Sequence, residues 1–250
     1  MNSISAVIIT LNEADVLDDC LKSIEWCDEI VVVDSHSDDQ TVKIAEHYTD
    51  RIIQYERVGY VEPIRGFAAE QITGDFVLRI DADERVPESL AHNLQELAQS
   101  DADIIMAPRK NYLMGKWVNC AGWWPDYTAV MYRPDSVIHR DELHFGLEIQ
   151  DTSSVIRLDP TEKNALVHHN HASVSQWVTA MNRYSDIHAG EMEFSPKLFI
   201  RGYREFIYRF ILQSGYKLGV FGLSICIARC LYWHLVAWKS WMDGDFGTET

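Results

Sequence analysis

Three apolar runs in the first eighty residues break off at polar or acidic side chains, and no other feature of the chain restricts the fold as much. Ile4–Thr10 leads into Leu11-Asn12-Glu13, Glu29–Val33 ends at Asp34-Ser35-His36-Ser37-Asp38-Asp39, and Phe76–Ile80 delivers Asp81-Ala82-Asp83-Glu84. Runs that are apolar throughout belong to strands covered on both faces. Between them lie segments with helical spacing. Asp15–Trp26 places Val16, Leu17, Cys20, Leu21 and Ile24 on one face, and Asp39–Tyr48 does so with Val42, Ile44 and Ala45. Arg51–Tyr55 reads as a further strand, Gly66–Ile72 as a short helix, and Pro87–Ala98 as a helix opened by proline. Alternation through short links predicts an α/β fold, Rossmann-like, with a mostly parallel, doubly wound sheet. In such a sheet the three polar strand ends share one edge, where ligands bind.

The strand end at Asp81 and Asp83 carries the most chemistry. Two carboxylates one residue apart repel each other unless a cation or ligand accepts them. Hard divalent cations such as Mg²⁺ or Mn²⁺ take oxygen ligands and share them with substrate phosphates. The segment therefore predicts a metal–diphosphate site. Acidic residues also favour a helix N-terminus, which accounts for Glu84 and Glu88 but leaves the aspartate pair unexplained.

Past Asp101 the pattern changes. Ile104–Arg109 and Thr128–Tyr132 predict strands around an aromatic loop, Tyr112–Tyr127, and Val155–Leu158 and Ala165–Val167 predict two more. Ser173–Met192 predicts a helix with Ser173 as its N-cap.

The stretches Ile8–Ile24, Trp26–Tyr48 and Gly74–Pro87 together resemble the inverting family-2 glycosyltransferases of the GT-A fold. Gly122-Trp123-Trp124-Pro125-Asp126-Tyr127 and Asn182-Arg183-Tyr184-Ser185 are similar to the branch that adds sugars to the lipopolysaccharide inner core, its β-glucosyltransferases. The resemblance implies a donor edge of Thr10, Asn12, Glu13 and Asp34, with Glu13 and Asp34 at the nucleoside. It places Asp81 by the ribose or diphosphate and Asp83 on the metal, with a histidine of His168-His169-Asn170-His171 beside it. His169 matches the branch pattern best. No cysteine accompanies these histidines, so they do not read as a zinc site. Three departures stand out. His36 replaces the family's glycine, Arg65-Gly66-Phe67-Ala68 replaces its Lys/Gln-Asn-Phe-Ala, and His144-Phe145 replaces a His-Glu pair. Arg65 still offers a cation to a phosphate.

Inversion needs a carboxylate that takes the proton of the attacking hydroxyl. Asp126 is the preferred base, because Trp123, Trp124 and Pro125 set apolar walls for a sugar ring beside it. Glu142 is the second candidate and Glu148 the third.

Charge divides the chain. With 22 basic and 38 acidic residues the net charge is −16, which disfavours nucleic acid as a partner. Yet Pro196–Trp241 holds seven basic residues against one acidic, so the remainder carries −22. Gly222–Trp238 is interrupted by Arg229 and His234 and is short of the about 20 apolar residues that a spanning helix needs. Aromatic residues (Phe199, Tyr203, Phe206, Tyr208, Phe210; Trp233, Trp238, Trp241) among these cations predict an amphipathic tail on an anionic membrane surface. A helical pair packed on the catalytic domain or on a second subunit is the alternative. Five scattered cysteines and the lack of a basic leader before Ile4 predict a reduced, cytoplasmic setting without a signal peptide.

The expected organisation is a catalytic domain over 1–195 and a basic helical extension over 196–250. The expected function is transfer of a sugar from a nucleotide-sugar, UDP-linked by preference, onto a saccharide on a lipid carrier or lipopolysaccharide core. Two alternatives stand. A sugar nucleotidyltransferase would need a glycine-rich basic loop where Leu11-Asn12-Glu13-Ala14 stands. A non-catalytic carbohydrate binder or scaffold of the same fold would not need both Asp81 and Asp83.

Overall fold

The structure, a computed structural model, describes residues 1–58, 61–140 and 147–246, the side chains of 243–246 excepted. Its elements run β1 (Ile4–Thr10), α1 (Leu17–Lys22), β2 (Glu29–Asp34), α2 (Thr41–Ala45), β3 (Ile52–Gln54), α3 (Glu62–Glu70), β4 (Phe76–Arg79), β5 (Glu84–Arg85) and α4 (Glu88–Ala98). They continue with β6 (Ile104–Leu113), β7 (Lys116–Trp117), β8 (Asp126–Tyr132), β9 (Val137–His139), β10 (Leu147–Ile149), β11 (Val155–Arg157), β12 (Leu166–His169), α5 (Val174–Glu191), α6 (Lys197–Ile207) and α7 (Gly219–Phe246). The chain divides into two compact units, 1–110 with 127–168, and 111–126 with 169–250.

The first unit is built on the expected α/β sheet. Strand order is β3-β2-β1-β4-β8-β6-β12-β5, with β11 on β6. The pairs β1–β2, β2–β3 and β1–β4 are parallel, and antiparallel pairing begins at β4–β8. Side chains alternate between two buried layers, as strand geometry requires. Ala6, Ile8, Val32 and Leu78 face a core completed by α1 and α4, whereas Val7, Val31, Val33 and Val77 face one completed by Ile64 and Ala68 of α3. This two-sided burial is why the runs read as continuously apolar. Register aligns the strand ends: Thr10 lies opposite Asp34, and Val7 opposite Arg79, so Asp81 emerges beside the end of β1.

Element ends differ from expectation by a few residues. The predicted helix Asp15–Trp26 shortens to Leu17–Lys22, and Gly66–Ile72 shifts to Glu62–Glu70 because Pro63 sits in its first turn. The β9–β10 hairpin gave no clear signal in its short, weakly alternating segments.

The second unit is helical. The side chain of Ser173 accepts from Gln176 N at 3.2 Å, the predicted N-cap, and α5 follows for 18 residues. Helices α6 and α7 are joined by a π-helical turn at Tyr208–Leu212 and a 3₁₀ turn at Gly215–Leu218. A Cβ on Gly202 would meet His234 at 2.8 Å and the Cys230 carbonyl at 2.9 Å, so α6 and α7 approach closely only because that residue has no side chain. The loop Asn111–Asp126 and residues 169–195 group with these helices, so the boundary falls earlier than the expected 195/196. Helix α7 has 28 residues, well beyond the Gly222–Trp238 segment on which the sequence estimate of length rested. By length and composition it suffices to cross a membrane.

Candidate active site

The ends of β1 and β2 are tied together before any ligand is considered. Thr10 Oγ1 donates to Asp34 Oδ1 at 3.0 Å, and Ser37 N donates to Asp34 Oδ2 at 2.9 Å. Asn12 N donates to Ser37 Oγ at 2.8 Å, and Asn12 Oδ1 accepts from Asp38 N at 2.9 Å. Asp34 is 1% exposed, so it organises this loop from beneath instead of presenting a free carboxylate as expected. His36, at the family's glycine position, takes φ 57, the left-handed conformation a glycine there would adopt. Its carbonyl accepts from Arg57 at 2.6 Å, and the same guanidinium takes the Ser35 carbonyl at 3.1 Å. Arg57 was not foreseen, and only the fold brings it to this loop.

Asp81 and Asp83 have different surroundings. Arg65 donates to both Asp81 oxygens, at 3.0 and 3.3 Å. Desolvation works against the Asp81 charge, but the guanidinium groups of Arg65 and Arg79 outweigh it and hold the carboxyl well below its usual range. Glu84, almost fully buried, accepts the Asp81 amide at 3.0 Å and is pushed up by burial and by Asp81. Arg79 is itself buried and donates to Thr128 Oγ1 at 2.5 Å.

Asp83 has a 34% exposed side chain and faces His168 Nε2 at 3.3 Å. Burial lowers the tendency of His168 to protonate, and its hydrogen bond and charge contact with Asp83 reverse this, so its pKa is raised. Successive side chains on β12 point to opposite faces. His169 therefore turns away and stacks on Tyr112, with centroids 5.4 Å apart. The histidine beside Asp83 is thus His168, which corrects the expectation of His169.

Glu13 completes the charge cluster. Burial, then the carboxylates of Asp83, Asp39, Asp81 and Asp15, raise its pKa from 4.5 to about 7. Burial first, and like charges second, hold this carboxyl partly protonated, and a cation beside it would favour its ionised form. Among the described residues no three His, Cys, Asp or Glu side chains form a metal cage. A cation shared with phosphates needs no cage, only one or two carboxylates and open positions. Asp83, with His168 beside it, fits that requirement.

The tryptophan loop belongs to the second unit. Asn111, 2% exposed, donates from Nδ2 to Asp126 Oδ2 at 3.1 Å and to the Trp123 carbonyl at 3.2 Å. Trp117 packs edge-on against Trp124 at 5.6 Å, and Trp124–Pro125 is a cis peptide. Arg209 donates to the Ala121 carbonyl at 2.9 Å, and Ala121 N donates to the Gln213 carbonyl at 2.7 Å, so the loop is pinned from both sides. Asn111 was missed by sequence reasoning, although an amide inside a strand run is a readable signal. Of the other bases considered, Glu148 is paired with Arg140 at 2.6 Å, and Glu142 lies outside the described residues, as does His144. The Asn182–Ser185 motif has a structural partner: Lys239 Nζ donates to the Asn182 carbonyl and Oδ1 at 2.9 Å each and to Ser185 Oγ at 2.8 Å.

The chain is similar to several known proteins. A lipopolysaccharide core biosynthesis glycosyltransferase, LpsC of Rhizobium meliloti (strain 1021), is 29% identical over 204 residues, 78% of this chain and 73% of that protein. Two solved structures are also similar. S. aureus TarS 1-349 in complex with UDP has a TM-score of 0.48 and 16% identity, covering 98% of this chain and 92% of that one. Glucosyl-3-phosphoglycerate synthase from Mycobacterium tuberculosis, crystallised with Mn²⁺ and UDP, has a TM-score of 0.36 and 23% identity over 44% of each chain. The sequence profile described as glycosyl transferase family 2 matches residues 5–127, the stretch that holds Glu13, Asp34, Arg65, Asp81, Asp83 and the tryptophan loop.

Proposed function

We propose that the protein transfers a sugar from a nucleotide-sugar, UDP-linked by preference, to a saccharide hydroxyl on a lipid carrier or lipopolysaccharide core, with inversion. The observation that carries this is the unequal treatment of the two aspartates. Asp81 is paired with the guanidinium of Arg65, whereas Asp83 has only the imidazole of His168 beside it and Glu13, among the described residues, has no ion pair with a basic side chain. A nucleoside diphosphate with Mg²⁺ or Mn²⁺ supplies both the missing charge and the remaining oxygen ligands.

In this reading the loops at Asn12 and Ser37, held by Asp34 and Thr10, frame the nucleoside, and Glu13 faces its ribose or base. Asp83 and His168 hold the cation, which when bound stabilises the negative charge of the leaving diphosphate. Arg65 fixes Asp81 at the phosphate side. The acceptor oxygen forms a bond to the anomeric carbon as the bond from that carbon to the phosphate oxygen breaks, and the electron pair leaves with the diphosphate. Asp126 takes the proton of the hydroxyl, oriented by the Asn111 amide, and Trp123 and Trp124 provide the apolar wall for the acceptor ring. LpsC, named for lipopolysaccharide core biosynthesis, supports an acceptor of that class. Such an acceptor places the enzyme peripherally on the inner face of the cell membrane.

The test is donor turnover. Incubated with UDP-hexoses and Mn²⁺, the protein should slowly release UDP and should melt at higher temperature in their presence, since a ligand of the folded state stabilises it by mass action. Absence of both effects across UDP-, GDP- and CMP-linked sugars would remove the reading and leave the binder or scaffold alternative.

A further inference from the structure

The aromatic residues expected to meet the membrane divide evenly. Trp233 is 3% exposed, and Phe199, Phe206 and Phe210 pack against the buried residues of α7, whereas Tyr203, Tyr208, Trp238 and Trp241 are exposed. On α7 the two exposed tryptophans stand among aliphatic residues. Val220, Leu223, Ile227, Leu231, Trp238 and Trp241 are all exposed, Val220 by 81%, and their spacing keeps them within one stripe of the helix. Between Val220 and Trp241 this stripe carries no Asp, Glu, Lys or Arg, is interrupted by His234, which packs against Phe199 and Tyr203 of α6, and runs about 32 Å at the helical rise. Helix α6 repeats the arrangement with Ile200, Tyr203, Ile207 and, in the next turn, Ile211, all exposed. Contiguous exposed apolar surface of this extent marks an interaction site.

Charge identifies the partner. Lys197, Arg201 and Arg204, all exposed, follow one another along the flank of α6 next to its stripe. Lys217 is exposed as well, whereas Arg209 is paired with Glu205 and Lys239 with Asp186, so these four exposed cations would repel a second copy of the surface and attract an anionic one. The opposite face of α7 decides the orientation. It is buried by Ile225, Cys226, Tyr232, Val236 and Ala237, and Lys239 is bound to α5, whose Arg183, Asp186 and Glu191 are exposed. Were α7 to cross a bilayer, these charges would enter the hydrocarbon.

We infer that the α6–α7 hairpin lies flat in the headgroup–acyl boundary of an anionic phospholipid bilayer, its aliphatic stripes inserted and the α6 cations on phosphates. This rests on the reading of a lipid-linked acceptor and names the surface that would bring the enzyme to it.

The experiment uses the full chain in sedimentation with vesicles of phosphatidylglycerol and phosphatidylcholine, against pure phosphatidylcholine. Wild type should pellet with the anionic vesicles. The double variant Ile207→Glu/Ile227→Glu should lose at least about tenfold in partitioning at every salt concentration, since it removes two inserted side chains. Lys197→Gln/Arg204→Gln should lose about thirtyfold at low salt and little at high salt, at roughly 1 kcal/mol per cation. Both variants should keep the wild-type melting temperature and its shift with UDP and Mn²⁺, so a failure of the donor reading is seen separately. Wild type remaining in the supernatant overturns the inference. So does unchanged pelleting of the stripe variant. A lipid-free dimer by light scattering that Ile227→Glu dissociates overturns it in favour of a second copy.

Discussion

The two units dispose of charge and apolar surface in opposite ways. The first keeps Ile8, Val32 and Leu78 fully buried and gathers Glu13, Asp81 and Asp83 at the ends of its strands. The second buries Tyr232, Trp233 and Ser240 and leaves Ile207, Leu212 and Val220 in solvent. In the first, the unbalanced quantity is electrostatic, and the proposed cation and diphosphate would relieve it. In the second it is hydrophobic, and only an extended partner surface can. The consequence is that substitutions in the first unit should be read in donor chemistry, and those on the outside of the second in association with a surface.

The largest expected effect is in the first unit. Asp83→Asn removes the carboxylate that no arginine neutralises, and turnover should fall about a thousandfold, because a bound cation contributes several kcal/mol at a leaving diphosphate. Folding should be unaffected, as Asp83 is partly exposed and its ion pair is with His168. Mn²⁺ titration followed by UDP binding checks this. A variant that retains metal-dependent UDP binding would show that charge at this strand end is not organised around Asp83.

Asp126→Asn comes next and sharpens the comparison, since it lies in the helical unit yet should act on chemistry. Turnover should drop about a hundredfold or more, the scale of general-base catalysis, with UDP affinity unchanged. Steady-state kinetics of Asp126→Asn beside Glu142→Gln separate the two candidates. Normal transfer by the first and none by the second would reduce the tryptophan loop to an acceptor platform.

The first unit was far more legible in sequence than the second, and the reason is physical. Strands buried on both faces leave uninterrupted apolar runs, so β1, β2 and β4 and their acidic ends could be read directly. What pairs with those ends could not. Arg65 reaches Asp81 from 16 residues away and His168 reaches Asp83 through β12, contacts made by topology alone. The choice of His168 over His169 depended on strand phase, which the four-residue β12 was too short to reveal. In the tail, the periodicity of α7 was visible, but both of its faces are apolar, so nothing in the sequence told Trp233 from Trp238.

A smaller effect is expected from Arg65→Gln, which leaves Asp81 with only Arg79 and His168 as favourable charges. Breaking a fully buried pair costs about 3–5 kcal/mol, and with the Asp81 side chain 39% exposed about 2 kcal/mol is the appropriate scale. Arg65→Lys should recover part of it, because Arg65 meets both oxygens through Nη2 alone, and an ammonium keeps a charged donor there without the planar guanidinium. Urea unfolding measures the loss. No change in stability would mean that Asp81 is neutralised by something other than Arg65.

The smallest effect concerns pH and tests whether the first unit stores charge strain at all. Glu13 has a pKa raised from 4.5 to about 7, first by burial and then by its acidic neighbours. Folded protein therefore holds this proton up to about pH 7, whereas the unfolded chain releases it near 4.5. In that window the unfolded state binds fewer protons, so the Glu13 contribution to stability declines as pH rises from 4.5 toward 7 and stays low above it. After allowance for solvent screening the decline attributable to Glu13 is about 1 kcal/mol. Glu13→Gln should flatten the pH dependence by that amount and be the more stable protein at pH 8. A divalent cation with UDP should flatten the wild-type curve too, since a cation beside these carboxylates lets Glu13 ionise without penalty. Parallel melting curves for wild type and Glu13→Gln from pH 5 to 8 would show that the strand-end carboxylates are already solvated, and the contrast between the two units would then rest on the helical surface alone.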